Sequence, residues 1–133
     1  MPVTYAISDD GSRIDIRWSG VMTVSDGNAL HESLNANSNA IARIQTCLND
    51  FTAVTDVRLS SGDIRNLAAQ DEMLSRLVPR LVMALVAPST LTFGLNRMWE
   101  TFSENTPWKT KVFRSRDEAE KWLEEQNQGP SSS

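Results

Sequence analysis

The chain is poor in the residues on which many functions depend, with one cysteine and one histidine among 133 residues. The single cysteine, Cys47, excludes an intrachain disulfide framework and a multi-cysteine zinc site. No apolar stretch approaches the roughly 20 residues that a membrane-spanning helix needs. The N-terminal segment 1–10 also lacks the basic and apolar regions of an export signal. These absences predict a cytoplasmic protein with no integral membrane association.

The balance of charge is mildly acidic, with a net charge of −4 and a pI near 4.9. A chain without a large positive field has no general attraction for nucleic acid, so no nucleic-acid partner is expected. The length fits one domain of ordinary size. We expect that domain to cover residues 1–127, followed by a flexible tail at 128–133 that ends in GPSSS.

The sequence carries none of the motifs that usually mark an enzyme. His31 stands alone on a predicted helix, which favours a solvated or peripheral side chain. Asp50 and Asp56 are interpreted as turn and strand-end residues rather than a carboxylate pair. Glycine-rich phosphate-binding patterns are absent. We therefore predict no catalytic residue, no metal and no cofactor, with a hydrolase or transferase as the least favoured alternative.

The first half of the chain predicts a hairpin, a helix, a weak strand and a second helix. Apolar and polar residues alternate in 3–7 and 14–18, on either side of the turn residues 9–11. Thr23 is placed to cap a helix over 24–37. A short strand follows around Cys47, and a loop connects its polar end to the next helix. Ser60 or Ser61 caps that helix, which ends before Pro79.

The second half begins with LVMALVA at 81–87, a continuous apolar run typical of a strand covered on both faces, which we place in the middle of the sheet. A helix starting at Pro88-Ser89 carries an apolar stripe predicted to face the core: Leu91, Leu95, Met98, Trp99 and Phe102. A strand over 108–113 and a helix from Ser115 to about Gln126 complete the pattern.

The element order β-β-α-β-α-β-α-β-α predicts an α/β domain with a mixed sheet, an N-terminal hairpin and packed helices. In such sheets ligands bind beyond the carboxyl ends of the strands, where the helices begin. The turns around Ser61 and Ser89 are therefore the expected positions of a site.

Two segments of the chain resemble a known family. DFTAV…SSGDIRNL resembles the D-[LF]-[ST]-x-[VI]…D-S-S-G-[LI] signature of STAS domains, which include bacterial anti-sigma-factor antagonists. VMALVAPSTLTFGLNRMWETF and the later KVFRSRDEAEKWL are similar to SpoIIAA-like STAS/SEC14-type bacterial proteins of largely unknown function. Leu59 stands where the first signature carries Asp, and the loop from Asp50 is one residue longer. The resemblance implies the SpoIIAA-like fold.

The resemblance also implies a regulatory binding module whose serine before the glycine, here Ser61, accepts a phosphate that abolishes docking. A phosphate at a helix start can bond to free backbone amides while changing the surface that a partner meets. The alternative is that Ser60 and Ser61 only cap the helix. With Gly62 they form the candidate phospho-acceptor or docking site.

A second candidate surface comprises Ser89, Thr90 and Phe93. Phe93 projects away from the apolar stripe of its helix, so it either lines a ligand or partner surface or is covered by a neighbouring element. Lys109 and Lys111 on the final strand are interpreted as protection of a sheet edge.

These observations predict a non-catalytic STAS-like interaction or regulatory module of unassigned pathway, acting as a homodimer with a regulatory protein partner. The alternative function is binding or carrying a small apolar or lipid-like ligand, because SEC14-type relatives are lipid carriers.

Overall fold

The computed structural model describes residues 2–128 of the chain. Ten helices and strands follow one another as β1 (Val3–Ile7), β2 (Arg13–Thr23), α1 (Val24–Ala36), α2 (Ser38–Ile41), β3 (Thr46–Arg58), α3 (Ser61–Ser75), β4 (Val82–Val86), α4 (Thr90–Phe102), β5 (Lys109–Phe113) and α5 (Arg116–Gln128). This is the predicted order with one added turn of helix, α2. The flexible tail predicted at 128–133 lies, apart from Gln128, outside the described residues.

The five strands form one sheet in the order β1-β2-β3-β4-β5. β1 and β2 are antiparallel, and every later neighbouring pair is parallel and joined through a helix. The predicted mixed sheet with an N-terminal hairpin is confirmed. β4 is an interior strand, but the middle position belongs to β3, so the placement of 81–87 at the centre was wrong.

The hairpin turn is held by the side chain of Asp10. Its Oδ1 accepts hydrogen bonds from the Ser12 backbone N–H at 3.0 Å and from the Ser8 and Ser12 hydroxyls, each at 2.8 Å. These bonds, that from the Ser12 amide first, lower the pKa of Asp10 to about 2. Gly11 adopts a φ of 78°, a conformation that glycine tolerates best. The turn therefore favours the register that pairs Val3 with Trp18.

Helices cover the two faces of the sheet unequally. α5 alone packs on one face, through a small core made of Leu48, Ala84, Val86, Ala119 and Leu123. The larger core lies on the opposite face beneath α1, α3 and α4, and includes Ile14, Ile16, Trp18, Cys47, Phe51, Met83 and Leu85. The alternation along β3 and β4 explains this, because successive strand residues face opposite sides.

β3 is much longer than predicted, because the segment 50–58 is strand rather than loop. Its first five residues pair with β4, whereas the remainder pairs only with β2, from Ser19 to Thr23. Two register irregularities interrupt this second part, one of them beside Gly20, whose φ is 67°. Sequence patterning missed the extension because bulges break the period-two alternation from which a strand is recognised.

The residues that α4 buries differ from those predicted. Of the five apolar stripe residues only Trp99 is buried, whereas Leu91 and Met98 are 49% and 41% exposed. The buried positions of α4 are instead Thr92 and Asn96, with Ser103 just after the helix. Two of their side-chain groups donate locally, Asn96 Nδ2 to the Thr92 carbonyl and Ser103 Oγ to the Trp99 carbonyl.

The remaining boundaries differ little from expectation. α3 ends at Ser75, before Pro79, and α5 extends to Gln128, past the predicted end near Gln126. β5 is an edge strand on which Lys109 and Lys111 are exposed, as expected. None of the helices within residues 2–128 has the length and apolar character needed to cross a bilayer.

Gly27 permits close packing of α1 on α3. A Cβ at this position would lie 2.5 Å from Leu67 Cδ2, whereas a Cβ at Gly94 would meet nothing within 4 Å. We expect Gly27→Ala to lower the free energy of unfolding by about 1–2 kcal/mol, because overpacking outweighs the gain in helix propensity.

Gly94→Ala is the matched control and should raise the stability by about 0.5–1 kcal/mol, since only propensity changes there. Urea unfolding of both variants measures the difference. Equal stabilisation by the two substitutions would show that α1 and α3 are not in close contact at Gly27.

Candidate functional site

The two serines at the start of α3 have different roles. Ser60 is the N-cap: its Oγ accepts from the Asp63 N–H at 3.0 Å, and Asp63 Oδ2 accepts from the Ser60 N–H at 3.0 Å. Ser61, the first helical residue, is exposed, and within residues 2–128 its hydroxyl makes no hydrogen bond to another residue. Gly62 is also exposed and has room for a side chain. Helix capping therefore accounts for Ser60 but not for Ser61.

The start of α4 carries the second predicted set of residues. Ser89 is the N-cap and accepts from the Thr92 N–H at 3.1 Å, and Thr90 is exposed. Phe93 is partly buried beneath the Arg114 guanidinium, whose carbon lies 4.2 Å from the ring centroid. A residue following β5 thus contacts one face of this aromatic ring.

The helix starts at Ser61 and Ser89 follow neighbouring strands but are offset along the sheet. β4 ends at Val86, opposite Asp50 of β3. β3 then continues for eight residues to Arg58, which is about 25 Å of extended chain. The two predicted surfaces therefore lie at different levels instead of lining one crevice.

Asp50 and Asp56 do not form a carboxylate pair. Asp50 Oδ1 accepts from the Thr52 N–H at 2.9 Å, and Asp56 Oδ1 accepts from the Val57 N–H at 2.9 Å. Each carboxylate thus serves a backbone amide in the part of β3 that extends beyond β4. Both residues are interpreted from the sequence as turn and strand-end residues, whereas the structure places both within β3.

His31 was misread from the sequence, because its side chain is buried rather than solvated. Only 8% of the residue is exposed. Its Nδ1 lies 2.9 Å from the Gly27 carbonyl oxygen, and its Nε2 lies 2.6 Å from Asp71 Oδ1. The second oxygen of Asp71 accepts from Trp99 Nε1 at 2.6 Å. The three side chains join α1, α3 and α4.

The geometry favours a doubly protonated imidazole. Nδ1 of His31 faces the Gly27 carbonyl, which can only accept, and Nε2 faces an oxygen of Asp71, whose other oxygen accepts from Trp99. An ionised Asp71 accepts from Nε2, so the ring then donates twice. Burial alone lowers the pKa of His31, but the hydrogen bond and charge of Asp71, together with the Gly27 carbonyl, outweigh it and raise the pKa. The folded state therefore favours the imidazolium form of His31 beside Asp71.

The sequence contains a signal for this burial. His31 follows Gly27 by four residues and lies between Leu30 and Leu34, all of which are buried on α1. Helical spacing therefore places the imidazole on the inner face of α1. The partner, Asp71, is 40 residues away on another helix and has no local signal.

An apolar cavity of about 100 Å³ lies in the larger core beside this pair. Its wall is formed by residues of the sheet and of the helices, including Trp18, Leu30, Cys47, Ile64, Leu67, Met83, Asn96 and Trp99. Asn49, Leu59, Asp71 and Leu95 are wall residues that are only partly buried. An empty volume of this size costs a folded protein about 2 kcal/mol.

The chemistry of the cavity wall does not suit a metal or a nucleophilic reaction. Within residues 2–128, no three His, Cys, Asp or Glu side chains are grouped as a metal site would need. Cys47 lies on the wall, where burial first, and then the charges of Asp15 and Asp71, raise the pKa of its thiol. A thiol in that state is a poor nucleophile. The interpretation of Cys47 as a small buried apolar residue is consistent with this environment.

Comparison with known proteins reveals similarity at the level of the fold. No protein-family model matches the chain, and no curated protein matches it by sequence. A structure of the anti-sigma factor antagonist SpoIIAA in its unphosphorylated form aligns with a TM-score of 0.58 and 17% identity, covering 92% of this chain and 96% of that one. The chain has a SpoIIAA-like fold.

Two further solved structures share the SpoIIAA-like fold with this chain. An uncharacterised protein of the DUF3478 family from Shewanella loihica PV-4 gives a TM-score of 0.53 and 22% identity, covering 91% of each chain. An anti-sigma factor antagonist from Mycobacterium paratuberculosis gives a TM-score of 0.53 and 18% identity, covering 92% of this chain and 94% of that one. The predicted resemblance and fold class are confirmed.

The assignment of the cap to Ser60 can be tested by substitution. Ser60→Ala should lower the free energy of unfolding by about 1 kcal/mol, because the Asp63 amide loses its acceptor. Ser61→Ala, the matched control one residue on, should change it by less than about 0.5 kcal/mol. Urea unfolding compares the two variants. A larger loss at Ser61 than at Ser60 would contradict the assignment.

The raised pKa of His31 predicts that stability falls at alkaline pH. A group whose pKa is higher in the folded state stabilises the protein fully below its unfolded pKa, about 6.5, and loses that contribution as pH rises through the folded value. The loss is about 1.4 kcal/mol for each unit between the two pKa values.

Urea unfolding of the wild type from about pH 6 to about pH 8 measures this loss, and His31→Gln is the control that cannot titrate there. The difference between the two curves isolates the imidazole. A wild-type stability that is constant or rises over this range, relative to the variant, would exclude the charged pair.

Proposed function

We propose that the protein is a non-catalytic regulatory or interaction module of unassigned pathway, with Ser61 at the centre of its docking surface. The observation that carries this proposal is the exposed Ser61 hydroxyl, which is not engaged in capping because Ser60 supplies the helix cap. The fold similarity to anti-sigma factor antagonists supports the same class of function. Protein partners, a cytoplasmic location and a homodimeric state are parts of the proposal.

Phosphorylation of Ser61 would change this surface by electrostatics. A phosphate adds about −1.5 to −2 charge at neutral pH. The first turn of α3 offers free amides and the positive end of the helix dipole, which favour the phosphate. Asp63 lies in the same turn and repels it. A partner that docks on the unmodified helix start would meet a strongly negative surface after the modification.

The exposed side of α4 supports a second contact surface, suited to self-association. Leu91 and Met98 are exposed apolar side chains two turns apart on α4, whereas Leu95 and Phe102 pack against the larger core. Exposed apolar residues grouped on one helix favour contact with another protein surface. The homodimer is therefore proposed to form through α4, apart from Ser61.

A second candidate function is the binding of a small apolar ligand, and the cavity is the observation that favours it. A lipid-like ligand of full chain length is less favoured, because about 100 Å³ is smaller than a cavity of roughly 150 Å³ that holds one benzene molecule. Ligand binding in the core and docking at Ser61 use different parts of the molecule. The two candidates can therefore be tested separately.

Affinity capture from the source cells tests the docking proposal. Wild type and Ser61→Ala should retain the same partner, whereas Ser61→Asp should lose it, because the added charge mimics part of a phosphate. Asn66→Asp is the charge-matched control, since Asn66 is exposed on a later turn of the same helix. This variant should retain the partner.

Intact-mass measurement of the protein from those cells should detect the phosphorylated form, and sedimentation of each variant reports its oligomeric state. A partner retained equally by Ser61→Asp and wild type would contradict docking at Ser61. A protein without phosphate under every growth condition would contradict the switch.

A further inference from the structure

The cavity beneath α1, α3 and α4 leaves part of the larger core unfilled. A well-packed interior has few voids larger than a water molecule. α4 contributes Leu95, Asn96 and Trp99 to the wall, whereas its apolar residues Leu91 and Met98 are exposed. On the sheet side, the small Cys47 forms part of the wall. The empty volume therefore results from which residues occupy the inner positions.

The size of the cavity limits its occupant. At about 100 Å³ it is comparable with, though smaller than, a buried apolar cavity of roughly 150 Å³ that takes up benzene or xenon. A peptide segment or a long acyl chain exceeds this volume. Stable water is also disfavoured, because a buried water needs two to four polar partners and the wall is almost entirely apolar.

The few polar groups on the wall are already paired. Asn49 Oδ1 accepts from Trp18 Nε1 at 2.8 Å, and both oxygens of Asp71 are bonded, to His31 and Trp99. These bonds leave no free charge to balance an ionised ligand, and burying an unpaired charge is costly. The wall therefore favours a neutral molecule.

Asn96 provides the one exception. Its Nδ2 donates to the Thr92 carbonyl at 2.9 Å, whereas within residues 2–128 its Oδ1 accepts no hydrogen bond. No side-chain oxygen of those residues is both fully enclosed and unpaired, so this atom retains access to open space. It can accept one hydrogen bond from a ligand, which permits a single hydroxyl on an otherwise apolar molecule.

We propose that this cavity binds a small neutral apolar molecule, no larger than about one six-membered ring, with at most one hydroxyl group that donates to Asn96 Oδ1. The proposal rests on the ligand-binding candidate above and is independent of docking at Ser61.

Benzene, phenol, benzoate and palmitate are the probes that test the class of ligand. Benzene and phenol should raise the Tm in proportion to the logarithm of their concentration and shift the methyl resonances of Leu30, Ile64 and Leu67. Phenol should bind more tightly than benzene to the wild type, because its hydroxyl donates to Asn96 Oδ1. The Asn96→Leu variant lacks this acceptor and should not prefer phenol. Benzoate should have no effect on these resonances.

Two substitutions at one position alter the cavity in opposite directions. Cys47→Leu fills space and should weaken the apparent affinity for benzene by about tenfold or more. Cys47→Ala enlarges the space and should retain binding. If Cys47→Leu does not fold, retained binding by Cys47→Ala together with the selective effect of Asn96→Leu supports the site.

Some outcomes overturn the proposal. Palmitate binding without benzene binding would contradict the small ligand but leave the ligand-binding candidate standing. The absence of resonance shifts with all four probes would overturn both. Equal benzene affinity in wild type and Cys47→Leu would place the binding outside this cavity.

Discussion

The larger helical layer depends on the buried contact between His31, Asp71 and Trp99. Each residue comes from a different helix, and the two bonds to Asp71 are both 2.6 Å long. A buried ion pair adds little net stability over a well-packed apolar alternative, but removing one partner costs about 3–5 kcal/mol. The contact therefore constrains where α1, α3 and α4 lie relative to one another, and the cavity lies directly beneath them.

The fold could be predicted because its signals are local. The hairpin follows from alternation around Asp10 and Gly11. The cap at Thr23 and the helix starts near Ser60 and Ser89 are short-range patterns that the structure reproduces. The prediction of strands failed where the regular alternation of apolar and polar residues stops. The second part of β3 was read as loop because it contains two irregularities and pairs only with β2. Its place in the sheet could not be read from its own residues.

The candidate site was predictable only in part, because its main features depend on distant residues. Ser60, Ser61 and Gly62 lie at a helix start, as the sequence indicates. Only the structure shows that Ser60 caps the helix and that Ser61 is exposed. The burial of His31 could have been inferred from Leu30 and Leu34, whereas the bond to Asp71 could not. Helical spacing predicts that the apolar stripe of α4 faces the core. The structure instead buries Thr92 and Asn96 beside Trp99, whose indole donates to Asp71.

The most direct measurement is the protonation of the imidazole, because the chain contains one histidine and a nitrogen NMR spectrum of labelled histidine reports it without overlap. At neutral pH we expect hydrogens on both Nδ1 and Nε2 of His31, with scalar couplings or slow exchange that indicate hydrogen bonds to Gly27 and Asp71. A neutral ring with one unprotonated nitrogen at that pH would contradict the charged contact that joins α1 to α3.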